Sequence, residues 1–204
     1  MNIMVRPPAV FRQVYPGAIW RMPRTSKKIY LTFDDGPVPG VTTAALSVLK
    51  EHNVKATFFC VGENVQRHPE VFSQVLEDGH AVGNHTMHHF DGWKHSWYDY
   101  MRDVKECAQT FQSKLFRPPY GHMRRSQFHT LQRRCKVVMW DVLTCDYDNT
   151  YAKEHCLELA LQYSRSGSIV VFHDSEKAQE RMLYALPRYI AEMKSRGFSF
   201  DSIQ

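Results

Sequence analysis

No stretch of this 204-residue chain approaches the roughly 20 consecutive apolar residues that cross a bilayer. Its beginning carries Arg6, Pro7, Pro8, Arg12, Pro16 and Arg21, which leave no room for the apolar core of a secretory signal. The sequence alone therefore predicts a cytoplasmic protein without an integral membrane segment. Cysteine is scarce: Cys60, Cys107, Cys135, Cys145 and Cys156 are an odd number, and no two form a C-x-x-C pair. That pattern favours free thiols over a disulfide frame and points to a reducing compartment. No run of five or six basic residues occurs, and 26 lysines and arginines against 21 aspartates and glutamates give only +5. Nucleic-acid binding gains no support from so mild a charge. Internal repeats, low-complexity tracts and long polar linkers are also missing.

What is present is an ordinary globular composition, 43% hydrophobic and 23% charged. The length buries a full core without staples. Short apolar runs alternate with amphipathic ones. Strands are expected at 29–33, 56–61, 81–82, 115–116, 137–140 and 168–172, where β-branched and aromatic residues cluster. Helices are expected at 69–77, 97–111, 126–134, 153–163 and 178–194, and another after a cap at Thr42 or Thr43. Such alternation predicts a mostly parallel sheet covered by helices. A complete eight-fold barrel takes about 250 residues. The expected fold is therefore an α/β, distorted and incomplete (β/α) barrel, with a doubly wound open sheet as the alternative.

Polar residues collect at the carboxyl ends of those strands, where parallel α/β folds place their ligands. Five such clusters occur: Asp34-Asp35-Gly36-Pro37, His85 to His89, Arg117 to Gly121, Trp140 to Tyr147, and His173-Asp174. Adjacent carboxylates repel unless a cation lies between them or one keeps a proton. The Asp34–Asp35 pair is thus either half of an ion site or a polar strand exit. His85 and His89 stand four apart, the spacing that sets two imidazoles on one side of a helical turn. They are either metal ligands or members of a histidine-rich surface loop that includes His88 and His95. Two histidines and a carboxylate make three protein ligands with an open position, the composition of a catalytic metal site. Arg117 is either a surface residue or the planar fork that orients a carboxylate. Asp146 and His173 are the remaining acid–base candidates.

Taken together, these residues resemble the polysaccharide deacetylases, carbohydrate esterases of the family 4 type with a NodB-type domain. The family pattern T-F-D-D-G-P stands at Thr32 to Pro37, H-[ST]-x-x-H at His85 to His89, and R-P-P-Y-G at Arg117 to Gly121. The aromatic–Asp block is matched by Trp140 to Tyr147, and the closing block by Val171-Phe172-His173. The resemblance implies a barrel of about seven strands over residues 29–204, with residues 1–28 as an extension packed on it. It implies Asp35, His85 and His89 as ligands of a divalent metal, zinc by default, with cobalt or nickel also accommodated. Asp34 is implied as general base, oriented by Arg117. His173 is implied as general acid, tuned by Asp146, and the Tyr120 backbone N–H as an oxyanion donor. Trp140 and Val171 would wall the acetate pocket. Tyr147 stands where the family often has Trp, a change that bears on groove shape.

The implied reaction is hydrolysis of N-acetyl groups on an acetylated glycan or oligosaccharide of peptidoglycan or chitin type. Alternatives are O-acetyl hydrolysis on a glycan such as acetylated xylan, and a catalytically silent carbohydrate-binding homologue. A glycan substrate keeps association with the cell envelope open beside the cytoplasmic reading.

Overall fold

The computed structural model describes residues 5–204. Seven parallel strands form one curled sheet, β1 (Lys28–Asp34), β2 (Thr57–Cys60), β3 (Ala81–Asn84), β4 (Leu115–Phe116), β5 (Lys136–Val137), β6 (Val142–Leu143) and β7 (Ile169–His173). Their spatial order is β5-β4-β3-β2-β1-β7-β6. The doubly wound alternative is excluded, because the sheet curls into a half-barrel with its helices outside. A last strand, β8 (Ser199–Phe200), pairs with Lys28 and Ile29 at the foot of β1.

Period-two alternation in β1 decides what faces where. Ile29, Leu31 and Phe33 pack outward beneath the helices in the main core. Tyr30, Thr32 and Asp34 take the opposite face, which is the barrel interior. Strand β7 repeats the pattern, with Val170 and Phe172 outside and Ile169, Val171 and His173 inside. The outer face is knitted by Phe33 stacked on Phe58 at 4.7 Å and facing Phe172 at 6.1 Å. Each interior column thus starts apolar at the foot and turns polar at the mouth. In β4, Leu115 faces inward, so the alternation turns Arg117 inward as well. Gly83 leaves space inside: a Cβ there would meet the Phe59 ring at 2.4 Å.

The outer layer comprises α2 (Val41–Glu51), α3 (Gly62–Arg67), α4 (Pro69–Glu77), α5 (Trp97–Thr110), α6 (Arg125–Leu131), α7 (Lys153–Tyr163) and α8 (Gln179–Ser195). Helix α2 does not begin at a threonine cap: Gly40 is its N-cap residue, and Thr42 instead lies inside and bonds to Asp174. Helix α3 was unexpected, since Gly-Glu-Asn-Val-Gln-Arg shows no apolar stripe. Its first amides donate to the carbonyls of Thr86 and Met87 at 2.9 Å. The strand expected at 137–140 is shorter, and the chain departs from it after Val138, which pairs with Ile19.

That pairing belongs to the N-terminal segment, which opens with the short helix α1 (Ala9–Val14). Ile19 exchanges backbone hydrogen bonds with Val137 and Met139, and Met22 donates to Gly167. Residues 19–22 therefore span the foot of the opening between β5 and the start of β7. Gly167 must be glycine: its φ is +81°, and a Cβ would lie 2.2 Å from the Met22 carbonyl oxygen.

Candidate active site

Asp34 ends β1, and Asp35 follows with φ of 86°. That left-handed turn breaks the alternation and lets both carboxylates serve one mouth. Asn64 of α3 donates to the Asp35 carbonyl at 2.7 Å. Asp35 Oδ1 lies 3.1 Å from His89 Nε2 and 3.7 Å from His85 Nε2. Ligand atoms of the three residues lie within 4.8 Å of one another. Zinc bonds of about 2.0–2.2 Å in a tetrahedron set neighbouring ligand atoms roughly 3.3 Å apart, so the three residues fit such an ion.

Each of these three candidate ligands is held from behind. His85 is buried, and its Nδ1 lies 2.8 Å from the Arg117 carbonyl oxygen, leaving Nε2 for the cluster. Burial, with the nearby His89, lowers its pKa to about 4 against the pull of Asp34 and Asp35, so the ring is neutral as a ligand requires. His89 has φ of 55°, and its Nδ1 lies 3.2 Å from the Tyr120 hydroxyl. Burial works to raise the Asp35 pKa, but the His89 hydrogen bond and the facing histidines outweigh it and hold the carboxyl well below its usual range.

Asp34 receives a hydrogen bond from Arg117 Nη1 at 2.6 Å. Arg117 is fully buried. Its other donors reach Thr32 Oγ1 at 2.8 Å and the carbonyls of Val138 and Met139 at 3.3 and 3.0 Å. The guanidinium also lies 4.1 Å above the Phe59 ring. So complete a cage fixes one orientation for the Asp34 carboxylate. The surface-residue alternative for Arg117 is excluded.

His173 pairs with Asp34 in the sheet register. Its Nδ1 lies 2.7 Å from Asp146 Oδ1, and its backbone N–H donates to Asp146 Oδ2 at 2.8 Å. Burial opposes the ring's charge, yet Asp146, then Asp35 and Asp34, push its pKa up to about 9. A protonated imidazole near neutral pH suits an acid. Tyr147 stands edge-on to it at 4.9 Å.

Tyr120 is 60% exposed with φ of 59°, on a turn after two prolines. Gly121, at φ of 70°, rests on Trp140: a Cβ would stand 2.6 Å from its ring. Trp140 thus lies under the Tyr120 turn, and its indole N–H is buried without an acceptor among the described residues. Val171 is buried beside Leu143 and Cys145, with Trp140 and Tyr147 against the same cluster.

Three supporting residues receive no role from the sequence. Asp103 of α5 is buried; its carboxylate accepts from the Met87 and His88 amides at 2.8 and 3.1 Å and meets His88 Nδ1 at 2.5 Å. It clamps the loop between His85 and His89. The nearby set His88, Asp103 and Glu106 also has metal-like spacing, but Asp103 is occupied by those bonds. Asp174, just after His173, accepts from the Gly36 amide at 3.0 Å and from Thr42 Oγ1 at 2.6 Å. Burial raises its pKa to about 7. Trp93, 52% exposed, stacks on His122 at 3.6 Å, and His122 lies 5.9 Å from Tyr120. A row of rings therefore runs outward from His89. The pairing of His173 with a following acid was the only signal for Asp174; nothing in the pattern marked the other two.

Comparison with known proteins agrees with this geometry. A profile of the polysaccharide deacetylase family matches residues 21–139. A peptidoglycan-N-acetylglucosamine deacetylase of Bacillus cereus (strain ATCC 14579) is 32% identical over 192 residues, 90% of each chain. A chitooligosaccharide deacetylase of Rhizobium leguminosarum bv. trifolii is 32% identical over 87% of this chain and 90% of its own. The crystal structure of a peptidoglycan N-acetylglucosamine deacetylase bound to 4-naphthalen-1-yl-N-oxidanyl-benzamide superposes with a TM-score of 0.86. It covers 97% of this chain and 95% of its own at 27% identity. The chain belongs to the polysaccharide deacetylase family.

Proposed function

We propose that this protein removes N-acetyl groups from an acetylated amino-sugar glycan of peptidoglycan or chitin-oligosaccharide type, releasing acetate and a free amine. The observation that carries this reading is the convergence at one mouth of a three-ligand cluster, a caged carboxylate and a protonated imidazole. The relatives' names, peptidoglycan N-acetylglucosamine and chitooligosaccharide deacetylases, support the substrate class.

Asp35, His85 and His89 would hold a divalent ion, zinc by default. When bound, such an ion polarises the acetyl oxygen and lowers the pKa of a water to about 7. The remaining work falls to the chain's own groups. Asp34 takes the proton of the attacking water, and Arg117 keeps that carboxylate aimed. Water oxygen adds to the acetyl carbon, and the C–N bond breaks. His173 gives its Nε2 proton to the departing nitrogen, which would otherwise leave as a strongly basic anion. Asp146 holds the ring in the orientation and charge that this requires. The Tyr120 N–H faces the developing oxyanion; one such donor is worth roughly 3–4 kcal/mol. Val171 and Trp140 bound the methyl side of the pocket, and Tyr147 lines the groove by His173.

Acetate release from N-acetylglucosamine oligomers by the zinc-supplemented protein tests the reading. The expected result is turnover that Asp34→Asn abolishes while zinc stays bound. Turnover of acetylated xylan but not of the amide would replace it with the O-acetyl reading.

A further inference from the structure

At the amino ends of β6 and β7, opposite the mouth, Arg6, Arg12 and Arg165 pair with one carboxylate, Asp141, and Arg21 and Arg24 line the cavity beside Arg12. Asp141 is fully buried; its Oδ1 and Oδ2 lie 2.9 and 3.2 Å from the Arg165 fork, and Ser168 donates to Oδ2 at 2.7 Å. Arg6 and Arg12 reach Asp141 only at 3.7 Å. Burial lowers the pKa of Arg21, and the charges of Arg165, Arg24 and Arg12 lower it further, with Asp141 opposing. Burial likewise lowers that of Arg6, with Arg165 and Arg12 adding to it and Asp141 and Tyr163 opposing. Arg12, Arg21 and Arg24 line a cavity of about 560 Å³ together with Tyr15 and Trp20.

Polar donors there lack acceptors. Arg6 Nε, Arg12 Nε, Arg21 Nη1 and Trp20 Nε1 are buried with no hydrogen-bond partner among the described residues. The four residues outside them, Met1 to Met4, include no acidic side chain. One carboxylate cannot neutralise five guanidiniums, and both of its oxygens are already engaged. Like charges crowded in a partly desolvated place repel strongly, and buried donors left unpaired are costly.

We propose that this cavity binds a phosphate-bearing anion, with Arg12, Arg21 and Arg24 as its contacts and Arg6 and Arg165 adding field. A phosphate monoester carries about two negative charges and three acceptor oxygens at neutral pH, matching several guanidinium forks at once. A carboxylate offers one charge and two oxygens, and leaves most of the excess in place. From Ser168, just before β7, to His173 at its end is five residue steps, about 16 Å at strand rise. The anion therefore sits well away from the reacting atoms and takes no part in the reaction.

Calorimetric titration of the zinc-loaded protein with inorganic phosphate, and separately with glycerol 1-phosphate, in constant-ionic-strength chloride tests this. Binding of one phosphate per chain that weakens at least tenfold in an Arg21→Gln, Arg24→Gln double variant supports it. Tighter binding of the ester identifies a phosphate carried on a larger molecule; tighter binding of inorganic phosphate identifies the free ion. No heat above chloride, or equal binding by the variant, overturns it. Should the double variant not fold, the exposed Arg24→Gln alone is expected to bind at least threefold more weakly, and unchanged binding overturns the proposal.

Discussion

The two ends of this barrel handle charge in opposite ways. At the mouth the acid–base groups and the metal-site carboxylate each have a specific partner: Asp34 with Arg117, Asp146 with His173, and Asp35 with two imidazoles. At the foot, Arg6, Arg12 and Arg165 share Asp141 with Arg21 and Arg24 close by, and several of these arginines' donors have no acceptor among the described residues. Pairing fixes direction, and a surplus leaves capacity for something else. The mouth is thus arranged for reaction and the foot for holding an anion.

Breaking a mouth pair carries the largest expected effect. Arg117→Ala leaves Asp34 buried and unpaired, and should destabilise the fold by about 3–5 kcal/mol in denaturant unfolding while abolishing acetate release. Arg165→Ala at the foot should cost far less, about 1 kcal/mol, because Arg165 is 38% exposed and Arg6 and Arg12 remain near Asp141. Equal losses at both ends would dissolve the contrast. Next is the His173 proton. Its pKa of about 9 places the alkaline limit of turnover there, with activity falling as pH rises through that value. Asp146→Asn removes the principal charge that raises it, so the limb should move to lower pH by at least one unit. The same pairing contributes stability that is fully present below the ordinary histidine pKa of about 6.5 and lost as pH rises through about 9.

Asp103→Ala sharpens the comparison more gently. It frees two loop amides between His85 and His89, and should weaken zinc binding about tenfold in a competition assay while leaving the KM for glycan unchanged. Trp93→Ala is the smallest change. Its exposed ring ends the aromatic row, and its loss should raise KM roughly three- to tenfold for an N-acetylglucosamine tetramer, with little effect on a dimer.

How much of this was legible depends on whether chemistry is local in sequence. The clusters at Asp34-Asp35, His85 to His89, Arg117 and His173 each end a recognisable apolar strand, so period-two alternation and a parallel fold sufficed to bring them to one mouth. Thr42 misled because a hydroxyl near a helix start is read as a cap, whereas tertiary contact gives it to Asp174. Helix α3 lacks an amphipathic stripe and is held by carbonyls of a distant loop, a contact no local pattern encodes. Asp103 looked like one more acid on an amphipathic helix; only the fold turns it toward the histidine loop. The arginine surplus is spread between Arg6 and Arg165, and in sequence it registers merely as a mild positive charge.

The central claim is that Asp35, His85 and His89 grip one divalent ion at the mouth. Zinc titration of the metal-stripped protein against a chromophoric chelator tests it directly. The account predicts one tightly bound zinc per chain, with affinity reduced at least a hundredfold in His85→Ala and in Asp35→Ala while both variants remain folded. Unchanged zinc affinity in either folded variant would contradict it.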